Sequence, residues 1–251
     1  MTDQADKASQ FLALHRPGEP LLLPNPWDAG SAKILASLGY QALATTSSGH
    51  AATLGRLDGS VTQDEAIAHA ADIVAATPLP VSADLENGFA DYPEGVAETI
   101  ELALGAGLAG CSVEDYGGDE PGIYDIALAT ERVAAAAGAA HGGGVHLALT
   151  GRAENFIRGN PDLGDTIERL HAYQEAGADV LYAPGLSTAE EIREVVSAVD
   201  RPVNVLARAG APTVSELAGL VEAATELRDR GTYGFTDASR RGATVAREAF
   251  D

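Results

Sequence analysis

Short apolar runs, each ending in a polar or glycine-rich turn, recur along the chain, with stretches of helical periodicity between them. The runs at 21–23, 42–46, 81–84, 110–114, 146–150, 180–183 and 203–207 have the length and flanking turns of strands. Between them, residues 30–38, 63–76, 93–104, 127–140, 165–176 and 188–199 set a polar stripe against an Ala/Leu-rich one, the pattern of helices with one buried face. Strand–helix alternation with no second pattern predicts parallel βαβ units. So many of them predict closure into an α/β barrel of the TIM type, one domain over residues 1–251. Seven strands are legible. After residue 207, residues 213–230 read as helix, GTYGF is a short and poor closing strand, and a last helix starts near Ala238.

Composition narrows the function. Hydrophobic residues make up 45 %, enough for a large core, whereas aromatics at 5 % leave little for base-stacking platforms. A net charge of −21 repels phosphate backbones and anionic membranes, so neither nucleic acid nor a membrane is an expected partner. The same acidity also reads as a solubility or salt adaptation. A carboxylate ligand would need a metal or an arginine to reverse the field locally. The single cysteine, Cys111, excludes an intrachain disulfide and a cysteine-based zinc cluster. MTDQADKASQFLAL has no basic segment followed by an apolar one, and no apolar run approaches a membrane span; the expected location is the cytoplasm. AHGGGVH precedes a strand and lacks the order of a phosphate loop.

In a parallel barrel, side chains at the C-terminal ends of the strands converge on one mouth. Read in order, those ends supply Asn25, Trp27 and Asp28; Thr46, Ser47, Ser48 and Gly49; Asp84 and Glu86; Glu114 and Asp115; and Arg152 and Glu154. Like charges in a confined mouth are unfavourable unless a cation neutralises them. Carboxylates without His or Cys match Mg²⁺ or Mn²⁺. Asp84 and Glu86, two apart at a strand end, point the same way while the chain is extended. Alone the pair is a weak signal and reads first as a solvated loop; with Glu114 ending the next strand, the metal reading becomes the stronger of the two. Arg152, facing these acids, either forks a ligand carboxylate or forms a structural salt bridge to Glu154 or Glu114. Thr46 to Gly49 either present N–H groups to an anion or form a plain polar turn. Cys111 reads as a buried small hydrophobe. His50, His69, His141, His146 and His171 are scattered, with no pair at nucleophile or zinc spacing.

At these residues the sequence resembles the isocitrate lyase/phosphoenolpyruvate mutase superfamily. The matching stretches are LLLPNPWDAGSAKILASLGYQALATTSSGHAATLGRLDG, VSADLENGFAD, AGCSVEDY, TGRAENF and EAGADVLYAPGL, in family order over roughly residues 20–210. The resemblance implies a (β/α)₈ barrel, Mg²⁺ dependence and chemistry through an enolate-type species. By position, Asp84 is the direct metal ligand. Glu86, where the family usually has a second Asp, and Glu114 hold metal-bound waters. Arg152 contacts a substrate carboxylate or enolate oxygen, and Asp58 falls on a family site residue. Trp27 and Asp28 fall on the first strand-end motif, and Ser47, Ser48 and Gly49 on the oxyanion-binding turn. The implied catalytic set is therefore Arg152, Asp58 and Glu114. The resemblance also implies a small carboxylate substrate and a homo-oligomer, dimer or tetramer, with exchanged C-terminal helices (about 214–251).

Three departures stand out. The Lys-Lys-Cys-Gly-His loop of the isocitrate and methylisocitrate lyases is replaced by EDYGGDEPGIYD, which has no Cys, Lys or His, and the Asn-containing gating loop of the mutases is not found. Glu86 is one methylene longer than Asp. About twenty residues are missing where the family has its eighth strand and helix. The leading expectation is a Mg²⁺-dependent lyase acting on a C–C bond beside a 2-oxo or 2-hydroxy carboxylate, of oxaloacetate decarboxylase or methylisocitrate lyase type. Phosphonopyruvate mutase or hydrolase chemistry is the second, and a non-catalytic carboxylate-binding barrel the third.

Overall fold

Side-chain caps set where most helices begin. Asp28 with Ser31, Thr62 with Glu65 and Thr188 with Glu191 each form a reciprocal capping box. These open α2 (Ala29–Ser37), α4 (Gln63–Ala76) and α8 (Ala189–Ala198). Asp3, Asp125 and Asp162 cap α1 (Gln4–Ala13), α6 (Ile126–His141) and α7 (Leu163–Glu175). Pro93 starts α5 (Pro93–Gly105), where its missing N–H costs nothing. The computed structural model describes residues 3–16, 18–118, 122–207 and 211–220.

Six strands form one parallel sheet in chain order: β1 (Leu43–Ala44), β2 (Val81–Asp84), β3 (Gly110–Glu114), β4 (Ala148–Arg152), β5 (Val180–Tyr182) and β6 (Val203–Asn204). Consecutive order with a helix after each strand makes this a half-barrel of βαβ units. The register carries the site. Asp84 pairs with Ser112, and Glu114 lies directly beside Arg152, at the C-terminal ends of β2, β3 and β4.

The run at 21–23 is not in this ladder. Pro20, Pro24 and Pro26 remove N–H donors around it, and it meets β1 through one backbone bond, from Ala44 N–H to Pro24 O at 3.2 Å. The expected closing strand at 231–235 and the C-terminal helix from 238 lie outside the described residues. The helix expected over 213–230 is described as α9 (Val214–Leu220).

Two apolar clusters hold the layers together. The larger joins the sheet to its helices through Ile73, Ile100, Val133, Leu149, Leu170, Leu181 and Ile192. Cys111 belongs to it, fully buried, and burial pushes its thiol up to about 12, so the group is an inert neutral thiol as expected. The smaller cluster plugs the N-terminal end of the sheet with Phe11 and Ala8 of α1, packed on Ala42, Ala109 and Ala148. That helix was not expected from the sequence. Among the described residues, no helix is long and apolar enough to cross a membrane.

Candidate active site

The strand register brings Glu114 and Arg152 side by side, and Asp84 reaches the same guanidinium. Arg152 Nη1 lies 3.2 Å from Glu114 Oε2 and 3.7 Å from Asp84 Oδ1, while Nε binds Glu154 Oε1. Two carboxylates within 4 Å of one nitrogen are close enough to share a hydrated ion. The guanidinium therefore stands among the acids rather than across the mouth from them. The structural salt bridges to Glu114 and Glu154 are both present. Its ring neighbour is Tyr182, 5.1 Å below the guanidinium carbon.

Asp84 is aimed by Ser47, whose N–H and hydroxyl donate to Oδ2 at 3.1 and 3.0 Å, and by its own Oδ1 accepting Glu86 N–H at 3.2 Å. Ser47, Ser48 and Gly49 are not a loop. They form the first turn of α3 (Ser47–Thr53), capped by Thr46. Gly49 is required there: a Cβ would lie 2.6 Å from Trp27 Nε1 and 2.6 Å from Thr46 Cγ2. Asp28 acts as the cap of α2, its Oδ1 accepting Ser31 N–H at 2.7 Å. The Trp27 carbonyl O lies 3.0 Å from His69 Nε2. Asp58 sits in an exposed turn, and its charge reaches Glu86.

Glu86 converges with Asp84 by a different route from the one its spacing suggests. The strand ends at Asp84, and Glu86 has φ +49°, with Gly88 at +75° and Phe89 at +55°. A left-handed glutamate costs about 1 kcal/mol, so the fold must hold this turn in place. Arg132 does so. Buried at 1 % exposure, it donates from Nη1 to Ala90 O and from Nη2 to Asn87 O, over the ring of Tyr124. Tyr124 in turn donates to Asp91 at 2.6 Å.

The electrostatics are those of a site short of positive charge. Burial, then the charges of Asp84 and Asp58, push Glu86 up to about 7 against the pull of Arg152. Glu114 is pushed up to about 9, foremost by burial, with Glu154 and Asp84 adding to it and Arg152 opposing. Burial works against the charge of Arg152, but Glu114, Asp84 and Glu154 hold its pKa well above the usual arginine value. Glu86 Oε1 is buried with no hydrogen-bond partner among the described residues. An orphaned carboxylate oxygen facing Asp84, which in turn lies near Glu114, is the kind of donor that a hard divalent cation satisfies. Asp84, Glu86 and Glu114 are thus the residues that could hold Mg²⁺ or Mn²⁺.

Glu154 and Asp115 are legible in the sequence as strand-end acids, but their partners Arg158, Arg169 and Tyr173 are not marked there. Glu154, fully buried, bridges Arg152 and Arg158, the latter through Nε at 2.9 Å, and Arg158 stacks 3.8 Å over Tyr116. Asp115 lies beneath. It accepts Glu154 N–H at 2.8 Å, Arg169 Nη1 at 3.0 Å and the Tyr173 hydroxyl at 2.5 Å. His50 and His69 stack at 3.8 Å and line a shallow cavity with Thr45, Ser47, Asp84 and Glu86. Both His50 ring nitrogens are buried and unpartnered among the described residues, and burial lowers the pKa of both rings. His50 could have been found from its place one turn after a strand end; nothing in the pattern marks His69.

The model of the phosphoenolpyruvate phosphomutase family matches residues 11–223. A solved protein of Burkholderia cenocepacia J2315, with a provisional lyase/mutase designation, is 47 % identical, covers 97 % of this chain and 95 % of its own, and superposes with a TM-score of 0.85. The 2-methylisocitrate lyase of Halalkalibacterium halodurans is 31 % identical over 206 residues, 80 % of this chain and 67 % of its own. A phosphonopyruvate hydrolase solved with oxalate and Mg²⁺ shares the fold at a TM-score of 0.78 and 21 % identity, over 97 % of this chain and 85 % of its own.

Proposed function

Because the chain belongs to the phosphoenolpyruvate phosphomutase family, within the isocitrate lyase/phosphoenolpyruvate mutase superfamily, we propose that it is a Mg²⁺-dependent lyase. It would cleave a C–C bond next to a small 2-oxo or 2-hydroxy carboxylate through an enolate. One observation carries this reading: Asp84 and Glu114 converge on a single Arg152 nitrogen while a buried oxygen of Glu86 has no partner. Asp84, Glu86 and Glu114 would hold the metal, which when bound supplies positive charge where the enolate develops. The chain's own residues do the rest. Arg152 would offer its guanidinium to a substrate carboxylate or enolate oxygen. Glu154 holds Nε of Arg152 and so fixes the plane of the guanidinium. Ser47 fixes the Asp84 carboxylate, and in this reading Trp27, Asp28, Ser48, Gly49 and Asp58 would lie around the substrate.

The segment after β3 carries no Cys, Lys or His. That favours oxaloacetate-type decarboxylation over methylisocitrate-type cleavage, which uses a protein proton donor on that loop. It also sustains phosphorus–carbon chemistry as the second reading. In the leading reading the sheet closes as an eight-stranded barrel in one domain, and the chain works in the cytoplasm as a dimer or tetramer.

The test is a panel of oxaloacetate, 2-methylisocitrate, 2,3-dimethylmalate and phosphonopyruvate, with Mg²⁺ and with chelator. Turnover of a carbon acid that needs Mg²⁺ is expected. Turnover of phosphonopyruvate alone replaces the lyase by the second reading. Metal binding without any turnover leaves a binding barrel.

A further inference from the structure

The end of the sheet opposite the carboxylates carries a second constellation, built from residues whose spacing gave no signal. Helix α6 ends at His141, three glycines at 142–144 turn the chain, and His146 leads into β4. Asp179 sits just ahead of β5. The two imidazoles lie face to face, with centroids 3.9 Å apart and planes 15° from parallel. His141 Nε2 is 3.0 Å from Asp179 Oδ2, and His146 Nε2 is 3.0 Å from Asp179 Oδ1. The carboxylate is itself fixed, because Oδ2 also accepts Leu149 N–H at 2.9 Å.

We propose that His141, His146 and Asp179 form a second metal site, for a borderline transition ion of the Zn²⁺ class, separate from the acidic reaction site. Two imidazole nitrogens and one carboxylate oxygen, all within 4.8 Å of one another, are the donor set of a three-ligand zinc site with water in the fourth position. The backbone bond from Leu149 is the outer-shell contact that orients such a ligand. A glycine triplet lets the chain reverse between the histidines, so that an H-x₄-H spacing delivers both rings to one side. His146 has 49 % of its side chain exposed, which leaves an entry path for the ion. Imidazole donors disfavour Mg²⁺, so the two ends of the fold select different cations. The expectation that no histidine pair has zinc spacing is corrected on this point: 141 and 146 fall within the range once a tight turn brings them together.

The experiment titrates the full chain with Zn²⁺ in the presence of excess Mg²⁺, by calorimetry, and with Co²⁺, by visible absorption. One Zn²⁺ per chain and a tetrahedral-type Co²⁺ spectrum are expected. His146→Ala, at a half-exposed position, should weaken binding by roughly 30-fold or more, and Asp84→Asn should leave it unchanged. His141→Gln gives an independent check should the first variant lose its fold by circular dichroism. No uptake, uptake unaffected by the histidine changes, or uptake lost in Asp84→Asn would each overturn the proposal. None of these outcomes depends on turnover, so they are separable from failure of the lyase reading.

Discussion

Glu86 shows how a single side chain records what a site lacks. Its oxygen is buried and unpartnered, and burial with two neighbouring acids raises its pKa to about 7, while Glu114 is raised to about 9. Both folded values exceed that of the unfolded chain. In the metal-free protein these groups therefore favour folding fully below about pH 4.5, and that contribution is lost as pH rises through about 7 for Glu86 and about 9 for Glu114. A divalent ion needs both ionised. Mg²⁺ affinity should thus climb between pH 6 and 9, approaching tenfold per pH unit for each proton released, and the rise in melting temperature on adding Mg²⁺ should be larger at pH 8.5 than at pH 6. Cys111 is the contrast. It is fully buried and neutral, so Cys111→Ala should leave kcat/KM within about threefold while costing about 1 kcal/mol of stability in denaturant unfolding. A large loss of turnover in a folded variant would give the thiol a role that its position denies.

Among the elements, the turn after β2 matters most. Its left-handed residues, Glu86 and Phe89, persist because Arg132, reaching from α6, satisfies the carbonyls of Asn87 and Ala90. Arg132→Met would leave two carbonyls without donors. The expected cost is about 3 kcal/mol in unfolding, with Mg²⁺ affinity weakened roughly tenfold as Glu86 loses its aim. Unchanged metal affinity in the folded variant would show that the turn holds itself. This element also marks the limit of sequence reading. The Asp84–Glu86 spacing suggests an extended geometry that the structure replaces with a left-handed turn, because period-two alternation ends with the strand and Asn-Gly permits several turns. The helix starting at Ser47 was hidden for a similar reason, since Thr-Ser-Ser-Gly is good turn chemistry and good capping chemistry alike. Helix α4, whose capping box and apolar periodicity agree, matches its expected bounds of 63–76.

For the molecule as a whole, alternation of short apolar runs with amphipathic stretches was enough to recover a consecutive parallel sheet with helices between its strands. Chain periodicity does not encode which partners buried polar groups choose. Hence the Glu154–Arg158 and Asp115–Arg169 supports, and the pairing of His141 with His146, became visible only in three dimensions. The run at 21–23 was misread because flanking prolines deny it a ladder while its leucines still pack on the plug around Phe11. Everything proposed for function rests on one divalent ion held by acids from neighbouring strands. Mn²⁺ titration of the full chain, followed by electron paramagnetic resonance, tests this directly. One Mn²⁺ per chain, displaced by excess Mg²⁺ and weakened roughly 100-fold in a folded Asp84→Asn variant, is the predicted result. Equal Mg²⁺-displaceable binding in wild type and Asp84→Asn would contradict it.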